Sequence, residues 1–405
     1  MMNQRRRTRP KHRRARSPKK WLYLLMTGLL FLTIFIFNNL VTGPDSSLTA
    51  SSQTTQHSES VDSKTSTQPL DARQATNFDY TVLPTTAKAK SIDKLLTQKN
   101  FTGTVLIVKN QQIIIQKGYG YANFEEKIKN DPQTMYQIGS IQKALTATLI
   151  MKQVAAGNLS LDDSLATYYP TIPDSQKITI RSLLTMTSGL RLPQEPTIAL
   201  TERGLIQYIL THLKFQHYGV HSYQPVNFVL LAGILMQLTG LDYYQLFNQQ
   251  ISQPLNLKET LFFKEFYLNT KHSQSYRKQA EEDYTTPIPE KILSYTNELG
   301  TGNLGMSAGD LFRYFYALTQ NKLFPAEIKN LLWGAGSKGE YSGGLYIYQH
   351  YFRTRGSISG FTGESYLTKD GRDGLILLSN RLPKEGNYEG LAKKIFHSLY
   401  TKPIT

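Results

Sequence analysis

Residues 135–155 read MYQIGSIQKALTATLIMKQVA. From Ser140 onward the stretch is apolar on most sides of a helix, so the spacing predicts a buried helix over 140–156. It opens with Ser140-Ile-Gln-Lys143. Residues three apart share a helix face, which brings the Lys143 amine within reach of the Ser140 hydroxyl. A serine in the first turn also lies where helix N–H groups and the dipole favour a developing oxyanion and a lysine that gives up its proton. That pairing is the chemistry of an activated nucleophile. The bare S-x-x-K pattern is cheap, because it occurs four times, at Ser17, Ser91, Ser140 and Ser275. Ser17 stands in a basic tail, Ser91 in a polar helical stretch, and Ser275 in the charged segment KHSQSYRKQAEED (271–283). Only Ser140 opens a buried helix behind a strand-and-loop region. Context selects it among the four, while an ordinary capped helix start stays open for the pattern taken alone.

Outward from that helix, GTVLIV (103–108) and QIIIQKGY (112–119) are strand patterns on either side of a polar turn, Lys109-Asn110-Gln111. They predict an antiparallel hairpin. From 160 to 290 the pattern is mostly helical with Pro and Gly breaks, clearest in QPVNFVLLAGILMQLT (224–239). Strand patterns return at 343–350, 355–361 and 374–379, and an amphipathic helix closes the chain over about 386–400. Strands at both ends around a helical middle predict one antiparallel β-sheet flanked by helices, with an all-helical subdomain inserted. The expected class is α/β, of the α+β kind. The chain shows no internal repeat.

The net charge is +16, with 46 Lys and Arg against 30 Asp and Glu. Ten of those cations, and no acid, stand in residues 1–20; the rest of the chain holds 36 basic and 30 acidic residues, an excess of six. Nucleic-acid binding by the main domain is therefore not expected. Residues 21–41 begin with WLYLLMTGLLFLTIFIF and carry no charge. Their length matches the ~20 residues that cross a bilayer, and the cations before them place the N-terminus in the cytoplasm. An uncleaved membrane anchor is expected over a cleaved signal peptide, whose apolar core would be shorter. A Ser/Thr/Gln-rich linker then fills 42–85, and the folded domain is expected over 86–402. The chain has no cysteine, which excludes disulfide scaffolds, thiolate metal sites and a cysteine nucleophile. Its eight histidines fall in no metal-binding spacing, so neither metal nor cofactor is expected. Gly305-Met-Ser307-Ala-Gly309 matches a second serine motif, but a Gly-rich polar segment precedes it. Ser307 with Asp310 reads better as a helix capping box.

Several ordered pieces share one family likeness. They are GYGYANFEEK (118–127), the Ser140 helix, ITIRSLLTMTSGL (178–190), YQPVNFVLLAGILMQLTG (223–240), ISQPLNLKETLF (251–262), LGTGNLGMSAGDL (299–311) and GSISGFTGE (356–364). Together they span about 90–400 and resemble the serine β-lactamase superfamily. The nearest likeness is to class C β-lactamases and low-molecular-weight penicillin-binding proteins, with their D-alanyl-D-alanine carboxypeptidase and esterase relatives. The resemblance makes Ser140 the acylated nucleophile and Lys143 its proton acceptor or electrostatic partner. The family's second motif, Tyr-x-Asn, falls on Tyr223-Gln224-Pro225, which keeps the tyrosine as a proton shuttle and loses the amide. Asn227, two residues on, is the candidate replacement. Intact Tyr-x-Asn triplets at Tyr121, Tyr267 and Tyr295 lack the surroundings.

The third motif, Lys/His-Thr/Ser-Gly, falls on Thr354-Arg355-Gly356, and the N–H of Ser357 would pair with that of Ser140 as an oxyanion hole. Thr354 replaces the motif's cation. Arg353 or Arg355 is the candidate charge for a substrate carboxylate, although on a strand each alternates faces with Thr354. The resemblance implies a hydrolase of cell-wall D-alanyl peptides or D-alanyl esters, with β-lactams as further candidate ligands and no cofactor. Its rival is a module that binds wall peptides without turnover, because two of three motifs are altered. The expected location is the outer face of a cell membrane, in a Gram-positive setting.

Overall fold

Val105, Leu106, Ile107 and Val108 are all fully buried, although neighbours on a strand point to opposite faces. A run like this fits only a sheet covered on both sides. At roughly 1.5–3 kcal/mol for each buried side chain, these four alone rival the ~5–15 kcal/mol net stability of a whole domain. The strand has no alternative register that keeps them dry.

The structure is a computed structural model that describes residues 80–277, 286–383 and 385–400. They all lie within one compact unit, 63–405. The basic tail, the expected membrane helix and residues 42–79 of the expected linker fall outside the described residues. Among the described residues no single helix is long and apolar enough to cross a membrane.

The main sheet has seven strands: β1 (Gly103–Lys109), β2 (Gln112–Tyr119), β3 (Lys338–Ser342), β4 (Leu345–Tyr348), β5 (Tyr351–Ile358), β6 (Phe361–Thr368) and β7 (Gly374–Ser379). Their order is β3-β4-β5-β6-β7-β1-β2, antiparallel throughout. Early and late chain meet where β1 pairs with β7, with Val105 opposite Leu377. Helix α1 (Ala87–Gln98) and the closing helix α5 (Glu389–Leu399) cover one face, packing Ile92, Leu96, Ile395 and Phe396 on Val105, Ile107 and Leu377. Helices α2 (Gln142–Ala155), α3 (Val226–Thr239) and α4 (Ala308–Thr319) lie in the core on the other face, with Leu106, Val108 and Leu378.

Three expectations need correction. The strand expected over 343–350 shortens to β4 and is the second arm of a hairpin with β3: Gly343 and Gly344 both take positive φ, at 53° and 82°, and Ser342 pairs with Leu345. Two adjacent glycines in that conformation make a two-residue turn. The strand expected over 355–361 merges the end of β5 with the start of β6 across Ser359-Gly360, also both at positive φ. Strand β6 escaped notice because FTGESYLT carries polar residues, yet all eight are buried. The inserted region is mainly helical but holds small sheets. One of them, of 136–137, 304–306 and 260–262, pairs Tyr136 with Met306 and ties the approach to Ser140 to the segment after residue 300.

Ser307 caps α4, its Oγ accepting from the Asp310 N–H at 3.1 Å. The expected capping box is only half made. The Asp310 carboxylate turns to the Glu259 N–H and the Thr260 hydroxyl, both at 2.8 Å.

Candidate active site

The nucleophile turn is built on a glycine. Gly139 sits at φ +52°, and a Cβ there would lie 2.9 Å from the Ser357 nitrogen. Across the gap, a Cβ on Gly356 would lie 2.0 Å from the Ile138 carbonyl oxygen and 2.8 Å from the Ser140 nitrogen. Only two glycines let these backbones approach so closely. The approach sets the backbone at Ser140 against that at Ser357, the two residues whose amides are the candidate oxyanion donors. Ser140 lies in a tight turn, Gly139–Ile141, that runs straight into α2.

One turn on, Lys143 is fully buried. Its Nζ lies 2.9 Å from Ser140 Oγ and 3.2 Å from the carbonyl oxygen of Thr301. An amine in this position, once neutral, can take the hydroxyl proton directly. The Tyr223 ring stands beside it, its centroid 5.3 Å from Nζ. Tyr223 is 39% exposed at the cavity mouth, and the Ser222 N–H just before it is tied to the Met186 carbonyl at 2.8 Å. Pro225 stands at the N-cap of α3, just before Val226, where its missing N–H costs no helix bond.

Asn227 does not take over for the lost amide. It is buried on α3, with Nδ2 on the Gln224 carbonyl at 2.9 Å and on Met186 Sδ at 3.4 Å, while Oδ1 accepts from the Ser188 hydroxyl. Both ends of the amide are satisfied away from Ser140, and Asn227 does not line the cavity.

That cavity, about 530 Å³, is lined by Ser140, Tyr223, Thr354, Arg355, Gly356 and Ser357 among others. Thr354 lines it, but its hydroxyl donates to the Gly344 carbonyl at 2.9 Å and so ties β5 to the β3–β4 turn. The two arginines share the face of β5 opposite Thr354, as strand alternation requires, and both reach Glu389, but they differ in depth. Arg353 is buried between Glu364 (3.2 Å) and Glu389 (2.8 Å). Arg355 is half-exposed at the cavity, 3.2 Å from Glu389. Of the two candidate cations, Arg355 is the one on the cavity wall.

Sequence reasoning missed the remaining wall. Tyr341 meets the Tyr223 ring edge-on at 5.6 Å and Tyr346 at 5.3 Å. Burial first, then the neighbouring Tyr223 and Tyr346, holds the Tyr341 hydroxyl well above the usual phenol range, and a hydrogen bond joins it to Tyr223. A hydroxyl that stays protonated can donate to the Tyr223 oxygen. Glu364 reaches the cavity from β6; burial pushes its carboxyl up to about 7 against the pull of Arg353. His221 also lines the cavity, while His217 is exposed on the preceding loop. The two glycines before Leu345 were the one available signal that a turn, and with it Tyr341, lay here.

A family model described as Beta-lactamase matches residues 89–398. PbpX of Bacillus subtilis (strain 168), grouped by name with the penicillin-binding proteins, is 30% identical over 380 residues, which are 93% of each chain. A teichoic acid D-alanine hydrolase of Staphylococcus aureus is 29% identical over 329 residues, 77% of this chain and 78% of its own. The crystal structure of FmtA from Staphylococcus aureus aligns with a TM-score of 0.68 at 28% identity, covering 77% of this chain and 86% of that one. With the family match spanning nearly the whole described domain, the chain belongs to the β-lactamase family, among its penicillin-binding-protein-like serine hydrolases.

Proposed function

We propose that this chain is a serine hydrolase that removes D-alanyl groups from a cell-wall polymer through an acyl-enzyme on Ser140. The reading takes D-alanyl esters of a teichoic acid as the first substrate and D-alanyl peptides as the second. The observation that carries it is the buried Lys143 amine at 2.9 Å from Ser140 Oγ. Lys143 accepts the hydroxyl proton as Oγ bonds to the substrate carbonyl carbon. The amides of Ser140 and Ser357 receive the negative charge on the carbonyl oxygen. As the carbon–oxygen bond to the polymer alcohol breaks, the proton passes to that alcohol through Lys143 and Tyr223. Water then attacks the acyl carbon, Oγ regains a proton, and D-alanine leaves. Arg355 at the cavity wall suits an anionic group near the scissile bond, such as a polymer phosphate or a substrate carboxylate. The ester preference draws support from the relative named as a teichoic acid D-alanine hydrolase. In this reading residues 21–41 anchor the chain in a membrane, with residues 1–20 inside and the hydrolase outside.

Two observations favour the rival, a module that holds wall polymer without turnover. Pro225 offers no side-chain amide, and the Thr354 hydroxyl is spent on Gly344. Release of free D-alanine from D-alanylated lipoteichoic acid separates the two readings. Steady release that disappears in Ser140→Ala supports the hydrolase. Equal polymer binding by both chains, without release from either, establishes the module.

A further inference from the structure

A fully buried amine needs acceptors that keep it aimed. For Lys143 these are Ser140 Oγ and one backbone carbonyl, that of Thr301. Helix α3 contributes no acceptor, since Pro225 has no polar side-chain atom and Asn227 is turned toward Met186 and Ser188. The Thr301 carbonyl is therefore the fixed point of the proton acceptor, and Thr301 is itself clamped. It is fully buried, and its hydroxyl donates to a carboxylate oxygen of Glu298. Its N–H donates to the Glu298 carbonyl at 3.0 Å, and the Gly302 N–H reaches the same carbonyl at 3.1 Å. Gly302 is where clamp and nucleophile meet. A Cβ there would lie 2.9 Å from Glu298 Oε2 and 3.5 Å from the carbonyl carbon of Gly139.

We infer that Glu298 is a positioning residue: through Thr301 it holds the Lys143 amine beside Ser140, from the segment before 304–306, where α3 supplies no amide. The inference rests on the reading of Ser140 and Lys143 as nucleophile and proton acceptor. Glu298 touches neither reacting atom; its effect passes through one hydroxyl and one carbonyl. A glutamine can still accept from Thr301, an alanine cannot, and Thr301→Val removes the donor while leaving the carbonyl in place.

The test is the rate of acylation of the full chain by a fluorescent penicillin, together with kcat and KM on a D-alanyl ester. Glu298→Ala should slow acylation about 10- to 100-fold, the size expected when a catalytic group is misplaced by ~1 Å, with KM little changed. Thr301→Val should do the same, and the double variant should be no slower than either single, because both break one link. Glu298→Gln should recover most of the rate. Pro225→Asn offers an amide from α3, so it should raise the rate at least fivefold more in the Glu298→Ala background than in the wild type. A plain structural role would show no such coupling. Melting temperatures identify a variant that fails to fold, in which case Thr301→Val and Glu298→Gln carry the comparison. A wild type acylated no faster than Glu298→Ala overturns the inference and leaves the function standing. Equal effects of Pro225→Asn in both backgrounds overturn it as well. A wild type that no probe acylates removes the function and this inference together.

Discussion

Ser140 and Lys143 were singled out by a pattern of residues near in sequence, Tyr223 and the run Thr354–Ser357 by the family resemblance. The structure puts Ser140, Tyr223 and Thr354–Ser357 on one cavity, with Lys143 beside Ser140. What remained hidden came from far along the chain. Thr301 reaches Lys143 across 158 residues, and Tyr341 reaches Tyr223 through a hairpin of the main sheet. No local pattern encodes either contact. Asn227 shows the converse risk. A plausible amide two residues from the expected place proved to be satisfied by Gln224, Met186 and Ser188. The glycine contacts give a sharp test at this scale. Gly356→Ala would press a methyl group to 2.0 Å from the Ile138 oxygen, so β5 must move away from the nucleophile turn. Acylation should fall by about 100-fold or more, the loss of an oxyanion donor, while the chain still folds. An acylation rate near wild type, with the fold intact, would place the oxyanion hole elsewhere. Lys143→Met should cost about 10²–10⁴ in rate.

At the scale of elements, β1, β2, β7 and the major helices could be read from periodicity, since apolar runs and helical stripes carry it directly. Strand β4 fell inside an expected strand, the strand expected over 355–361 joined the ends of β5 and β6, and β3 went unread. The polar residues of β6 are buried, and the boundaries of these strands are set by turns rather than by composition. Helix α4 supplies a prediction about pH. Burial, opposed by the hydrogen bond from Thr260, pushes the Asp310 carboxyl up to about 7, against about 4 in the unfolded chain. A carboxyl raised on folding contributes stability that is full below pH ~4 and is lost as pH rises through 7. Asp310→Asn keeps an acceptor for the Glu259 N–H and the Thr260 hydroxyl but cannot ionise. Between pH 5 and 8 the wild-type melting temperature should fall by about 3 °C or more relative to Asp310→Asn. Parallel curves would contradict the account. Glu202, Glu290 and Glu364, each also near 7, are common to both chains and cancel in that comparison.

For the whole molecule, the sheet joined by early and late strands was predictable. The small sheets of the inserted region were not, because strands of two or three residues have no periodicity to read. Every strand of the main sheet, both covering layers and the cavity lie between residues 80 and 400. A chain of residues 80–405 should therefore fold and be acylated at the full chain's rate, within about twofold. The proposed anchor predicts that the full chain sediments with membranes and the shorter one does not. Co-sedimentation of both would reject residues 21–41 as the tether. The central claim is that chemistry passes through Ser140, and its most direct measurement is mass spectrometry of the acid-quenched chain after reaction with penicillin. The account predicts one acyl group per chain, on the peptide that carries Ser140, absent from Ser140→Ala and slow to form in Lys143→Met. An adduct on any other residue, or D-alanine release that persists in Ser140→Ala, would contradict it.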